Sequence, residues 1–171
     1  MAGFNTKTFT KHDDYMTPKS AWFAIKEFIP TDKIIWEAFY GDGASGKFLE
    51  EVLEDNKVIH EPIDFFNNNK GDIIISNPPF TCKKEVFTRL KILDKPFIMI
   101  CPSSMINTQY MRNLFSNSDN KIQIIIPRKR IQFTKLDKDG KIPEGFTNKC
   151  NFDCFYYCYK MDLERDIIWL K

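Results

Sequence analysis

The stretch of this chain best equipped for chemistry is Asn77-Pro78-Pro79-Phe80. It comes after Asp72-Ile73-Ile74-Ile75-Ser76, whose apolar run predicts a buried strand over 72–76. Proline fixes its own φ and pushes the preceding residue out of the helical region, so Asn77 is held extended at the mouth of that strand. A side-chain amide fixed beside exposed carbonyls and an aromatic ring is suited to gripping a planar group that carries an amino nitrogen. Asn-Pro also opens ordinary turns, so the four letters alone are only moderately specific. Their place, after Asp72 and an apolar strand and downstream of a glycine turn, gives them weight.

That turn is Glu37-Ala38-Phe39-Tyr40-Gly41-Asp42-Gly43-Ala44-Ser45-Gly46, set between a predicted strand and a predicted helix. Gly41, Gly43 and Gly46 match the spacing of a dinucleotide fingerprint. Glycines allow a tight turn and a close ligand whatever that ligand is. Glu61 lies 20 residues past Gly41, where an acid could take a ribose. Glu37 is more discriminating. At the end of its strand, aimed at the turn, a carboxylate repels a pyrophosphate and attracts a cation.

The elements that must position these residues alternate between strand and helix. Helices are expected over 19–28, 46–54, 85–93 and 107–115, and strands over 33–39, 57–63, 72–76, 96–101, 121–126 and 152–159. Residues 130–133 read as extended, and Asp139-Gly140 as a hairpin tip. Such alternation implies a mostly parallel sheet with helices on both faces. The last strands, joined by a hairpin excursion rather than a helix, imply an antiparallel edge.

With 171 residues, 43% hydrophobic and 28% charged, the chain has the composition of one globular domain over 1–171. Residues 1–12 are expected to form a flexible arm and 127–150 a basic hairpin. No run is long enough to cross a membrane, and the first eleven residues lack the apolar core of a secretory leader. An intracellular, reducing compartment is therefore expected. Of the five cysteines, Cys150, Cys154 and Cys158 recur every fourth residue, far in sequence from His12 and His60, which suits free thiols better than a metal site. Net charge is only +2, but Arg128-Lys129-Arg130 cluster, with Lys135, Lys138 and Lys141 soon after.

Taken together, Asn77-Pro78-Pro79-Phe80 and the acid-x-Phe-x-Gly-x-Gly stretch from Glu37 resemble the motifs of amino-group methyltransferases that use S-adenosylmethionine, above all the small phage- and virus-type DNA adenine-N6 enzymes. The resemblance runs from Asp14 to Tyr159 in the expected motif order. It implies a Rossmann-like class I methyltransferase fold and S-adenosylmethionine as cofactor. It implies that Glu37, Phe39, Gly41 and Gly43 hold that cofactor, with Asp64 and Phe65 at its adenine. Tyr15, Thr17, Pro18 and Trp22, in the Asp14-Tyr15-Met16-Thr17-Pro18 element, would close over its methionine end. Asn77 and the Pro78 carbonyl would accept the two N–H bonds of a target amino group, and Phe80 would stack on the target base. The final strands would flank the site, bringing Arg128, Lys129 and Arg130 to its rim for contact with DNA, as with Lys83 and Lys84 after the quartet. RNA is a close variant, because the quartet recognises a base and not a sugar.

Two departures stand out. About 30 residues separate Gly46 from Asn77, where the usual fold fits two strands and a helix, so the sheet is expected to lack a β-α unit. No stretch is long enough for a separate recognition domain, which leaves sequence specificity to the hairpin, to Lys83 and Lys84, to a partner subunit, or absent; a homodimer or a partner subunit is a further expectation. Other assignments are a catalytically inactive methyltransferase-like subunit that binds nucleic acid or supports a partner enzyme, and a protein glutamine methyltransferase. Phe80 and the basic rim speak against the glutamine enzyme. A nicotinamide oxidoreductase is weaker still, since it gives the quartet no task.

Overall fold

The structure is a computed structural model that describes residues 15–135 and 152–171. The expected arm, Asp14, Lys138, Lys141, the Asp139-Gly140 tip and Cys150 lie outside the described residues. In chain order the elements are β1 (Tyr15–Met16), α1 (Lys19–Phe23), β2 (Ile35–Trp36), α2 (Ala44–Val52), β3 (Val58–Ile59), β4 (Ile73–Ser76), α3 (Lys83–Leu93), β5 (Phe97–Pro102), α4 (Gln109–Phe115), β6 (Ile122–Ile126), β7 (Thr134–Lys135), β8 (Cys154–Tyr159) and β9 (Ile167–Trp169).

Seven strands form one sheet in the order β3-β2-β4-β5-β8-β6-β9, and β1 pairs separately with β7. All neighbours in the large sheet run parallel except β8, which is antiparallel to both β5 and β6. The fold is thus the mixed α/β, Rossmann-like arrangement expected. Its antiparallel strand is inserted two places in from the edge, with β6 and β9 beyond it. Between α2 and β4 the chain adds β3 and a 3-10 turn, Phe65–Asn67, and the large sheet has seven strands.

Burial explains these elements. All four residues of β4 are buried, as suits a central strand packed on both faces. One face of the sheet meets α1 and α2 through Ala21, Trp22, Leu49 and Val52. The other meets α3 and α4 through Val86, Phe87, Leu90, Met111 and Phe115. In β8 the pleat sends Tyr156 and Cys158 to the first face and Tyr157 and Tyr159 to the second. Two of these tyrosine hydroxyls donate to carbonyls, Tyr156 to Ala21 at 2.7 Å and Tyr157 to Pro102 at 2.8 Å.

The helix expected over 19–28 is shorter than its pattern. It stops at Phe23, and Lys26–Phe28 form a 3-10 turn after Ile25 leaves helical geometry at φ −113°, ψ 5°. That break lets Ile25 and Ile29 both reach the core. β9 was not expected at all, although Ile167-Ile168-Trp169 is a β-forming trio. Cys82, Cys101, Cys154 and Cys158 are buried thiols. Among the described residues no helix is long and apolar enough to cross a membrane.

Candidate functional site

The parallel strands β2, β3 and β4 end at the same edge of the sheet, and the residues just beyond them meet there. After β2 the chain runs through Glu37 and Phe39 into the glycine turn. Gly41 (φ +57°) and Gly43 (φ +83°) adopt left-handed conformations that other residues take up only at a cost. The Gly43 N–H closes the turn on the Tyr40 carbonyl at 2.8 Å, and Asp42 Oδ1 accepts from the Ala44 N–H at 2.9 Å. Helix α2 begins there.

Glu37 is 1% exposed. The Ser76 hydroxyl, at the end of β4, donates to Glu37 Oε1 and accepts from the Phe39 N–H at 3.2 Å, tying the two strand ends together. Glu37 Oε2 is buried and has no hydrogen-bond partner among the described residues. Burial pushes this carboxyl up to about 8, against the pull of the Ser76 hydrogen bond. A cation brought to Oε2 would reverse that shift and supply the missing partner. This free acceptor therefore fits a ligand carrying an ammonium group.

The quartet comes immediately after Ser76. Asn77 Nδ2 donates to the Tyr15 carbonyl at 3.0 Å, which fixes the amide plane. Asn77 Oδ1 is buried and has no partner among the described residues. Pro78 is buried, and Phe80 opens a 3-10 turn, Phe80–Cys82, that leads into α3. The Phe80 ring lies in an aromatic group: stacked on Tyr15 at 5.9 Å and edge-on to Phe152 at 5.5 Å and Phe133 at 6.3 Å. Lys83 Nζ sits 5.7 Å from the Phe80 ring centre and donates to the Phe80 carbonyl, while Lys84 is exposed at the start of α3.

Three further buried polar atoms without partners lie on the segments around this edge: Thr17 Oγ1, Ser45 Oγ and His60 Nδ1. Thr17 succeeds Met16, whose Sδ and Cε approach Gly41; a Cβ there would be 3.9 Å away. A Cβ on Gly46 would fall 2.3 Å from His60 Cγ, and one on Gly43 2.7 Å from the Tyr40 hydroxyl. These glycines thus make room for the chain's own rings. Tyr40 and His60 lie nearly parallel, 10° apart with centres at 6.3 Å. Of the nine buried side-chain polar atoms without a partner among the described residues, five lie on the segments around this edge, which makes it the candidate ligand site.

The remaining sequence candidates fall into two groups. Tyr15, Thr17, Glu37, Gly41, Gly43, Asn77, Pro78 and Phe80 meet at the edge just described. Trp22 is fully buried between α1 and α2, and Phe65 packs in the core on Phe39 at 4.9 Å and Trp36 at 5.7 Å. Asp64 caps its own turn, accepting from the Phe66 N–H at 3.0 Å and from the Asn67 side chain. Glu61 is exposed beyond β3, whereas its neighbour His60 faces the glycine turn. Arg130 pairs with Asp153 at 2.7 Å. Arg128 and Lys129 border a groove beside α1, and the chain then runs to Phe133 against Phe80. No group of three metal-binding side chains occurs among the described residues. Sequence reasoning passed over Ser76, Met16, Tyr40, His60, Phe133 and Phe152. Only Ser76, a lone hydroxyl closing an isoleucine strand, carries a local signal.

No family model matches the chain, and no curated protein matches it. Among solved structures it is similar to a Listeria monocytogenes protein provisionally named as a class I S-adenosylmethionine-dependent methyltransferase. The TM-score is 0.55 at 12% identity, over 95% of this chain and 67% of that one. The likeness is one of fold: a Rossmann-like sheet of the class I methyltransferase type.

Proposed function

We propose that this protein transfers a methyl group from S-adenosylmethionine to the exocyclic N6 amino group of adenine in nucleic acid, DNA in the first instance and RNA as the close variant. One observation carries this: a side-chain amide whose nitrogen is pinned by a main-chain carbonyl and whose oxygen is buried and unpartnered, one residue from the hydroxyl that clamps a buried, half-paired carboxylate. Glu37 Oε2 would take the cofactor's cationic methionine end, and the Gly41 to Gly43 turn would lie against it. When bound, the cofactor supplies an electrophilic methyl on a sulfonium.

The chain's own task is then positioning. An adenine amino group is a poor nucleophile, because its lone pair is delocalised into the ring. Asn77 Oδ1 and the Pro78 carbonyl accept its two N–H bonds and turn the lone pair toward the methyl. The cofactor, held by Glu37 and the Gly41 to Gly43 turn, would supply the methyl with a neutral thioether as its leaving group. The nitrogen, briefly cationic, gives a proton to solvent. Holding the atoms in line provides most of the acceleration, and the two acceptors stabilise the charge that develops on nitrogen. The Phe80 side of the pocket offers the flat contact for a base taken out of its stack. Arg128 and Lys129 supply cationic contacts to the backbone, with Lys83 and Lys84 nearer the quartet.

The test is transfer of labelled methyl to adenine-containing DNA and RNA by the wild type and by Asn77→Ala. The expected loss is roughly 10²–10³-fold, the size seen when one polar group of a preorganised site is removed. Full activity in the variant would remove Asn77 from the mechanism.

A second assignment, an inactive methyltransferase-like subunit, has its own observation: Tyr15 already stacks on Phe80, and Tyr40 and His60 cover Gly43 and Gly46. Calorimetric titration with S-adenosylmethionine separates the two, because the inactive subunit gives no heat.

A further inference from the structure

We propose that the groove bounded by α1, by the segment leaving β6 and by β9 is the track along which a single strand of nucleic acid runs away from the target base. The groove encloses about 780 Å³. Its wall carries Arg128 and Lys129, just past β6, and Lys171, just past the neighbouring parallel strand β9, and these three form no ion pair among the described residues. The lining also has an apolar part, with Phe28, Ile168 and Leu170. One acid, Glu27, lies at the α1 end.

This pattern selects its occupant. Cations on the wall suit a chain of phosphates, and an apolar lining suits unstacked base faces. A single strand offers both at once. A duplex turns its phosphates outward and hides its base faces, and an acidic peptide supplies charge with few flat groups.

The groove also joins the site. β1 and β7 run antiparallel, with Met16 opposite Thr134. Two residues along from that pair, Pro18 and Gln132 line the near end of the groove. In the other direction Tyr15 holds Asn77 by its carbonyl, while Phe133, between Thr134 and Gln132, packs against Phe80. The two segments that fix the quartet therefore also form the start of the track. A base extruded into the pocket leaves its flanking nucleotides single-stranded, which is the form the groove accepts. This assignment rests on the proposed nucleic-acid substrate but has a readout of its own.

The experiment is fluorescence anisotropy with a short labelled single-stranded oligodeoxynucleotide and its duplex, titrated at several salt concentrations. The wild type is expected to prefer the single strand. Arg128→Ala with Lys129→Ala, two exposed positions that the fold does not need, should weaken single-strand binding by roughly tenfold or more at low salt. The slope of log K against log salt should flatten by about 1–2 units. Lys171→Glu should act in the same direction. Cofactor affinity by calorimetry should stay unchanged in all of these.

Unchanged affinity and slope in the double variant would overturn the track, as would tighter binding to the duplex. Displacement of the strand by polyglutamate at equal charge would assign the groove to an acidic peptide instead. Strand binding that needs Arg128 and Lys129 without any methyl transfer would sink the enzyme and leave the groove standing. Methyl transfer indifferent to both residues would do the reverse.

Discussion

The two ends of the sheet are built on opposite principles. At the end where the parallel strands begin, several polar groups are tightly paired. Asp72 Oδ2 accepts from the Ile34 N–H at 2.8 Å, and Asn56 Nδ2 donates to the Pro30 and Lys33 carbonyls at 2.8 Å each. The Tyr159 hydroxyl donates to Asp94 Oδ1 at 2.8 Å while accepting from Lys91 at 3.1 Å, and Lys160 closes on Asp94 Oδ2 at 2.6 Å. At the end where β2, β3 and β4 finish, Thr17, Glu37, Ser45, His60 and Asn77 each keep a buried polar atom with no partner among the described residues. An unpaired buried group costs about 1–3 kcal/mol. One end holds side-chain networks that close on themselves, and the other holds most of the buried polar atoms left without a partner among the described residues.

The largest break in that contrast is expected from Glu37→Gln. The amide keeps an oxygen for Ser76 and removes the charge. Cofactor affinity should fall roughly 10–100-fold by calorimetry, the scale of a hydrogen bond to a charged group. Stability should move the other way. The folded carboxyl holds its proton up to about pH 8, whereas an unfolded one loses it near its ordinary value of 4.5, so wild-type stability falls as pH rises through that window. The variant lacks this slope, and thermal melts at pH 8 should place it above the wild type. For the same reason wild-type cofactor affinity should weaken as pH drops below about 8, because binding must then expel a proton.

Gly46→Ala comes next. Its Cβ would meet the His60 ring at 2.3 Å, and overpacking of this kind costs about 1–3 kcal/mol. The His60 imidazole signals should shift in an NMR spectrum, with loss of cofactor affinity. The smallest effect belongs to the other end. Asp94→Asn disturbs an exposed ion pair with Lys160, and the melting temperature should change by less than about 2 °C with cofactor binding intact. A large loss of binding there would dissolve the distinction between the two ends.

Much of this was legible in the chain itself. Three isoleucines before Ser76 mark a strand buried on both faces, and Pro78 keeps Asn77 extended at its mouth. The spacing between Gly46 and Asn77 leaves room for one clear strand, and β3 is the strand found there before β4. What escaped was long-range in origin. Nothing local in Ser76 says that it will clamp Glu37 across 39 positions, and nothing in His60 says that it will lie over Gly46. Phe133 and Phe152 reach Phe80 only because β7 returns to pair with β1. Asp64 and Phe65 had two local meanings, cap and core or ligand contact. Their hydrogen bonds and packing serve the first.

The atom that holds the Asn77 amide belongs to the main chain. Evolution can rewrite the side chain at position 15 without disturbing that grip, so an alignment of relatives could show drift at a place the geometry treats as fixed. Ordinary mutagenesis cannot delete a peptide oxygen either. Only moving the strand, or weakening the carbonyl by amide-to-ester synthesis, would show how much of the asparagine's aim depends on its anonymous neighbour.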